Sequence, residues 1–588
     1  MAEEHEDVET KSSGSPEVHQ QTKFMTWFEK AFPWLLVGVA TLGLIFMIFL
    51  PGAFFQKETA EQLKAQSDLR LALLYTTGGA IAAFGLLETY RKNTNDRAKA
   101  NADINAALKN QEHQAEVLKE QIRQFDENAF KERKAERRER YTKAVEQLGD
   151  EKAPVRMGGV YTFVGLVDEW LEEENLPESE RLKEGQVIIN NLCSYIRSPF
   201  TLASYYEELS KDNPSPQGFY KDNQQKFYTD KATLKSEADV RLSIIKEIHD
   251  RIQGPDKNTP GAWSDFEYDF SGSTFFYPID LTNSYYAKPI NFSGSTYQGG
   301  ADFTDSTYQD WAYFTGSTYK EEAYFSGSTY KGWADFTGST YKGEANFTGS
   351  TYKGRANFTG STYQEEAYFS RSTYKGRANF IDSTYKGWAY FTDSTYKGRA
   401  YFSLSTYKGG ADFSRSTYKG GADFSRSTYK GRAYFTGSTY KGGADFSRST
   451  YKDVADFSGS IFYQKVYFGA DGDNSSFSRF TDCAPQFYDE TNHKNTLFGS
   501  PNNDFTVENG RGHPIYRGLE GLPLGCCFLA EAQKEYLSGI FKEIEETREK
   551  LITTEYFQEK IRLPGKLRAF NTALHEWREK VTTAQRTR

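Results

Sequence analysis

Ser350-Thr351-Tyr352-Lys353-Gly354-Arg355-Ala356-Asn357-Phe358-Thr359-Gly360 is one copy of a pattern that returns every eleven residues between Phe270 and Phe468. Ser-Thr-Tyr stands unbroken at every eleventh position from Ser295 to Ser449, fifteen times. Phe recurs through Phe303, Phe336, Phe369 and Phe424, with Leu281 substituting once. A fixed period this short predicts a solenoid stacked from one unit. The aromatics alternate at spacings of five and six, and a small residue precedes each by two: Ser before Tyr, Ala before Phe. Residues two apart share one face of a strand. Each unit therefore turns Ser and Tyr inward on one short strand, then Ala and Phe inward on the next. Thr, Tyr and Phe suit strands, and Gly suits the corners. An eleven-residue period also fits a right-handed coiled coil, but that needs helix formers, which this stretch lacks.

These residues resemble the pentapeptide-repeat family, whose unit is a small residue, any residue, then a central Leu or Phe. Ala301-Asp302-Phe303 and Ser306-Thr307-Tyr308 match that unit, with one extra residue between each Tyr and the next Phe. The resemblance implies a right-handed, four-sided parallel β-helix with two units, 22 residues, per coil. About nineteen units then give about nine coils and a rod of roughly 45 Å, at about 4.8 Å per coil.

The residue before each Ala sorts by that coil. Trp311, Trp333, Arg355, Arg377 and Arg399 fall on one parity, and Glu322, Glu344, Glu366 and Trp388 on the other. In a two-unit coil these are opposite faces. The first is a candidate interaction face, where Trp and Arg attract through cation–π contacts; the second is acidic. Inheritance from a duplicated 22-residue segment accounts for the sorting equally well.

The chain reads as mixed and multi-domain. Residues 1–30 are polar and acid-rich, the composition of a disordered tail. Residues 31–90 read as a transmembrane hairpin, from two uncharged apolar runs at 33–55 and 71–87. Lys and Arg after the second run favour that side as cytoplasmic, which places both termini inside. Residues 91–148 read as a long helix or coiled coil. Ile104, Leu108, Leu118, Ile122 and Phe125 lie on its three-four spacing, as a candidate homo-oligomer seam or as packing against the chain's own helices. Residues 149–262 read as a helical region with helices near 155–173, 178–197 and 236–252. The β-helix follows at 263–470. Its irregular first units, with Tyr268 and Ile279 in place of the small residue, suit a cap. Residues 471–588 read as a loop region folding over the last coil, then two helices broken at Pro564-Gly565. Arg140 to Gly149, followed by Val155 to Gly159, resembles a module of bacterial membrane proteins, which implies a bacterial protein and no chemistry; the hairpin would then lie in the bacterial inner membrane.

Chemistry-bearing motifs are few. There is no P-loop, GxGxxG, HExxH or GxSxG. The net charge is −8, and the four Cys (Cys193, Cys483, Cys526, Cys527) form no CxxC. His513 with Cys526 and Cys527 lacks metal-ligand spacing. No cofactor, metal or catalytic residue is expected. Some pentapeptide-repeat proteins mimic DNA with an acidic rod, but residues 292–462 here hold 12 Lys and 8 Arg against 16 acidic residues. Nucleic-acid binding through the Lys375, Lys397 and Lys419 ladder is disfavoured by so small a net charge. The expected function is a non-enzymatic, membrane-anchored scaffold, with the lipid bilayer and an unidentified protein as partners. The alternative is an oligomeric pore, which the uncharged spans do not favour.

Overall fold

The computed structural model describes residues 22–54, 60–91, 97–469, 476–489, 491, 494–508, 510, 512–554 and 556–586. The chain divides into two compact units, Met1–Arg133 and Lys134–Arg588.

In the first unit, helices α1 (Thr22–Phe54) and α2 (Ala60–Arg91) pack together, and α3 (Arg97–Leu148) begins. Of the expected tail, residues 1–21 lie outside the described residues, and α1 already starts at Thr22. The expectation of two membrane spans is not met. Among the described residues only Pro33–Phe54, 22 residues, is long and apolar enough to cross a bilayer. The side chains of α2 are described only as far as Phe84, and an 18-residue stretch ending there takes in Asp68 and Arg70. On α3, Leu108, Leu118, Ile122 and Phe125 are exposed, while the Ile104 side chain lies outside the described residues.

The second unit opens with α4 (Ala153–Leu171), α5 (Glu178–Arg197), a 3-10 turn at Thr201–Tyr205, α6 (Tyr206–Leu209) and α7 (Gln224–Ile252). The helix expected from 236 thus begins at Gln224, where the Asn223 side chain accepts from Lys226 N–H at 2.9 Å. This is an N-cap of the usual chemistry. Val160, Phe163 and Val167 of α4, Ile188 and Leu192 of α5 and Ile244 and Ile248 of α7 share one core with Trp263, Phe266 and Phe270. The helical region is therefore the cap of the first coil. Trp263 Nε1 donates to Asp168 at 2.8 Å, and the Gln253 amide donates to the Thr282 carbonyl at 2.9 Å. These contacts cover the strand edge that a bare first coil would expose.

Strands β1 (Tyr268–Asp269), β2 (Thr274–Phe275), β3 (Ile279–Asp280) and β4 (Tyr285–Tyr286) are the four sides of the first coil. Each founds a parallel sheet, and these first to fourth sheets hold 10, 10, 9 and 11 strands. Every pairing in the regular part joins residues 22 apart, as in Thr340↔Thr362 and Ala345↔Ala367. Ala and Phe donate forward to the next coil (Ala334 N–H to Arg355 O at 2.9 Å), and Thr and Lys donate back (Thr340 N–H to Ser317 O at 2.8 Å). Inside, Phe from the first and third sheets meet edge to face, as Phe347 and Phe358 do at 5.0 Å and 80°. Tyr from the second and fourth sheets stack along the axis, Tyr352 on Tyr374 at 4.8 Å.

The inward Ser makes a second ladder. Ser350 Oγ donates to the Phe325 carbonyl at 3.0 Å and accepts from Ser328 N–H at 3.2 Å. A small hydroxyl is thus buried with its hydrogen bonds made. The inward Tyr hydroxyls, one per unit from Tyr286 to Tyr451, are buried without a hydrogen-bond partner among the described residues. Burial drives the Tyr352 phenol well above its ordinary range, although Ser350 beside it pulls the other way.

The corner before each Ser-Thr-Tyr is left-handed backbone. Gly fills it in many units, but Leu404 (φ 62°), Arg426 (φ 57°) and Arg448 (φ 57°) occupy it elsewhere. A side chain there costs about 1–2 kcal/mol, of which Gly gives back part through its looser unfolded state. Leu404 is also 49% exposed, so little packing is at stake. Leu404→Gly should therefore stabilise the solenoid by about 0.5–1 kcal/mol, read as a higher thermal midpoint.

Beyond Asp471 the solenoid does not end. Phe480 stacks on Tyr451, Phe487 on Phe457, Phe498 on Phe462 and Phe505 on Phe468. One more coil is built in the same side order, with loops inserted between its sides, and Cys527–Phe528 adds a further strand to the fourth sheet. The expectation of a loop merely folded over the last coil is corrected accordingly. Helices α8 (Glu531–Thr553) and α9 (Phe557–Arg586) follow. The expected break at Pro564-Gly565 is absent, because α9 runs through it. Pairing of the two helices, with Tyr536 stacked on Trp577 at 5.7 Å, outweighs the backbone hydrogen bond that Pro removes.

Candidate interaction faces

The coil brings the sequence-predicted residues into two straight files. On the first sheet, Trp333 O, Arg355 O, Arg377 O and Arg399 O each accept from the Ala of the coil before, at 2.9–3.0 Å. Consecutive members of the file are therefore one strand spacing apart, about 4.8 Å. Trp311 is 47% exposed and meets Trp333 edge to face at 5.5 Å. The Arg355 guanidinium lies 5.1 Å from the Trp333 ring, and that of Arg377 lies 5.5 Å from Tyr401. Arg355, Arg377 and Arg399 are all exposed.

On the third sheet, half a coil away, Glu322 O, Glu344 O, Glu366 O and Trp388 O form the equivalent file, with N–H···O distances of 2.9–3.0 Å. Burial, then Glu366 and Glu322, raise the Glu344 carboxyl above its usual range. Tyr368 and Tyr390 stack beside this file at 5.0 Å, and Trp388 stacks on Tyr390 at 5.7 Å. No ion pair joins these glutamates, or the three first-sheet arginines, to another described residue.

Sequence reasoning missed the cover on the fourth sheet. Its Lys ladder passes beneath α8: Lys397 pairs with Glu549 at 3.3 Å, Arg548 donates to the Thr395 hydroxyl at 3.0 Å, and Lys441 sits 4.8 Å from the Phe541 ring. The signal was present in the apolar residues of α8, of which Phe541 meets Lys441 of the rod while Tyr536 pairs with Trp577 of α9. Burial, then Lys397 and Lys441, hold the Lys419 ammonium down at about 8. That lies below the unfolded value of about 10.4, so the folded chain holds this proton less firmly. The penalty is complete below about pH 8 and disappears as pH rises towards about 10.4. Lys419→Met should tighten α8 docking at neutral pH, by less than about 1 kcal/mol since the ion is half-exposed. It should also flatten the pH dependence across that window, and amide exchange in α8 measures both.

Within the helical cap a cleft of about 950 Å³ is lined by Asp150, Arg156, Tyr195, Phe200, Glu237 and Arg241, among others. Three of its charged groups, Arg156, Glu237 and Arg241, are paired with one another. Glu237 accepts from Arg241 Nε at 2.8 Å, from Arg156 Nη2 at 3.0 Å and from the Tyr195 hydroxyl at 3.0 Å. Burial, then Glu237, pushes the Tyr195 phenol up to about 12, so it is no base at neutral pH. Among the described residues no group of three or more His, Cys, Asp or Glu is placed to hold a metal ion.

Residues 408–450 match the family model described as Pentapeptide repeats (9 copies). Fold and match together define the repeat segment as a pentapeptide-repeat β-solenoid. No curated protein and no solved structure matches the chain.

Proposed function

We propose that this chain is a non-enzymatic scaffold, held at a membrane by Pro33–Phe54, whose solenoid presents the Trp311, Trp333, Arg355, Arg377 and Arg399 file to a protein partner. The observation that carries the reading is the file itself: the exposed Trp311 and three exposed arginines, with Trp333 half-buried among them, held in one row at strand spacing by backbone hydrogen bonds. Trp and Arg are the residues that dominate protein interfaces, and extended repeat surfaces commonly serve binding. Anchoring is supported by the outward Leu42, Leu44, Ile45, Ile48 and Phe49 of α1. Extraction of the full chain and of a chain lacking 33–54 from membranes by alkaline carbonate tests the anchor; equal release of both would remove it from the reading. Crosslinking in native membranes, with the full chain beside a Trp311/Trp333/Arg355/Arg377→Ala variant, tests the face. Loss of a crosslinked protein in the variant is the expected result. An unchanged crosslink pattern would sink this assignment.

A further inference from the structure

We propose that the occupant of the Trp/Arg file is the glutamate file of a second copy of this chain, so that copies associate side by side with their coils in step. This rests on the reading of the first sheet as an interaction face and names the partner it takes.

The argument begins with charge. Among the described residues, Arg355, Arg377 and Arg399 point outward from the first sheet with no acidic partner, and Glu322, Glu344 and Glu366 lie on the opposite side with no basic one. Elsewhere on the rod the chain does pair such groups: Arg415 and Asp393, 22 residues apart, form a two-bonded ion pair with both distances 3.0 Å. The two files therefore hold opposite, unspent charges on faces that cannot reach each other within one molecule.

Spacing supplies the second argument. Both files are carried by the same stack of coils, so their rise is identical by construction. Two partners of unrelated sequence would have to match that rise by chance, whereas a second copy matches it over every coil. A sideways shift without rotation brings the third sheet of one copy against the first sheet of the next. The files are offset by eleven residues, half a coil. Arg355 then stands level between Glu344 and Glu366 of its neighbour, and Trp333 between Glu322 and Glu344. Arg377 stands between Glu366 and Trp388, beside the stacked Tyr368 and Tyr390. Arg favours such a setting, because its planar group pairs with carboxylates and stacks on rings. Burial, and then the like charges of Glu366 and Glu322 in the same file, hold the Glu344 carboxyl above its usual range.

The contact uses two different faces, so it does not close on itself. Heterologous contacts of this kind extend into open rows. Each added copy leaves a Trp/Arg face free at one end of the row and a glutamate face at the other.

The test uses the full chain in detergent, with mass followed by sedimentation across protein concentration. One variant carries Arg355→Glu, Arg377→Glu and Arg399→Glu; the other carries Glu322→Arg, Glu344→Arg and Glu366→Arg. All six positions are on the solenoid surface, and an unchanged far-ultraviolet spectrum and melting curve verify the fold of each. The wild type should self-associate, more weakly at high salt. Each variant alone should need at least tenfold more protein to associate, and an equal mixture of the two should associate like the wild type. Association untouched by both variants, or weakened by both without recovery on mixing, overturns the proposal. If the arginine variant loses a crosslinked foreign protein in membranes while self-association is unchanged, the first sheet is an interaction face and the second-copy assignment alone fails. If neither changes, both readings fail.

Discussion

Phe358→Ala is expected to cost about 3–5 kcal/mol and to open the solenoid at its middle. Phe358 is fully buried and touches rings on every side. It stacks on Phe336 and Phe380 at 4.9 Å each, and meets Phe347 and Phe369 edge to face at 5.0 and 5.1 Å. A coil held by backbone ladders above and below cannot collapse into the space left behind, so the cavity term is near its full value. In a stack where each coil touches only its neighbours, such a loss weakens one interface. Amide exchange should therefore rise most in the coils flanking Phe358, while the helical cap stays protected. Uniform loss of protection along the whole chain would contradict this nearest-neighbour picture. Tyr352→Phe, one residue type away in the same core, should leave stability unchanged or improved, since the hydroxyl it removes has no hydrogen-bond partner among the described residues.

Arg241→Met should destabilise the helical cap by up to about 3–5 kcal/mol, because it removes one of the two arginines that hold the buried Glu237 and leaves it with Arg156 alone. Arg241 is 2% exposed. Its guanidinium also donates to the carbonyls of Ile196 at 2.7 Å and Ser198 at 2.9 Å, groups at the C-terminal end of α5 that no helical N–H can satisfy. It lies 5.4 Å from the Phe276 ring of the first coil, so its loss also loosens the joint between cap and solenoid. Adding Glu237→Gln to Arg241→Met should recover only part of the loss, since it removes the carboxylate left with Arg156 alone but takes from Arg156 its own partner. Chemical unfolding followed by tryptophan emission reads both variants, because Trp263 lies in that joint. Equal losses in the single and double variants would show that packing, not the buried charge, carries the effect.

The parts legible in the sequence are those where one side chain type recurs at one spacing. The alternation of Ser-Tyr with Ala-Phe defines which residues enter the core. The parity of Trp311, Arg355 and Arg377 against Glu322 and Glu344 separates two faces before any coordinates are known. The last coil was not legible, because its sides are separated by uneven loops. Tyr451 to Phe480 spans 29 residues and Phe462 to Phe498 spans 36, so a search at fixed period passes over them. The cover of α8 on the lysine ladder was hidden for a different reason. It depends on contacts such as Lys397 with Glu549, distant in sequence and without periodicity. The second apolar run ends at 85–87, whose side chains lie outside the described residues, so among the described residues only the first run reaches the length of a span.

The two-unit coil also constrains how such a gene can change length. Insertion of 22 codons in frame adds a whole turn and leaves every downstream residue on its side. Insertion of a single eleven-codon unit keeps the core pattern intact, since Tyr and Phe still alternate. It nevertheless rotates everything beyond it by half a turn, so that arginines downstream would emerge on the side of the glutamates. The fold tolerates odd and even steps alike, whereas the surface tolerates only even ones. Recombination within the repeat is thus filtered by phase, and a lineage can lengthen its rod freely only in whole turns.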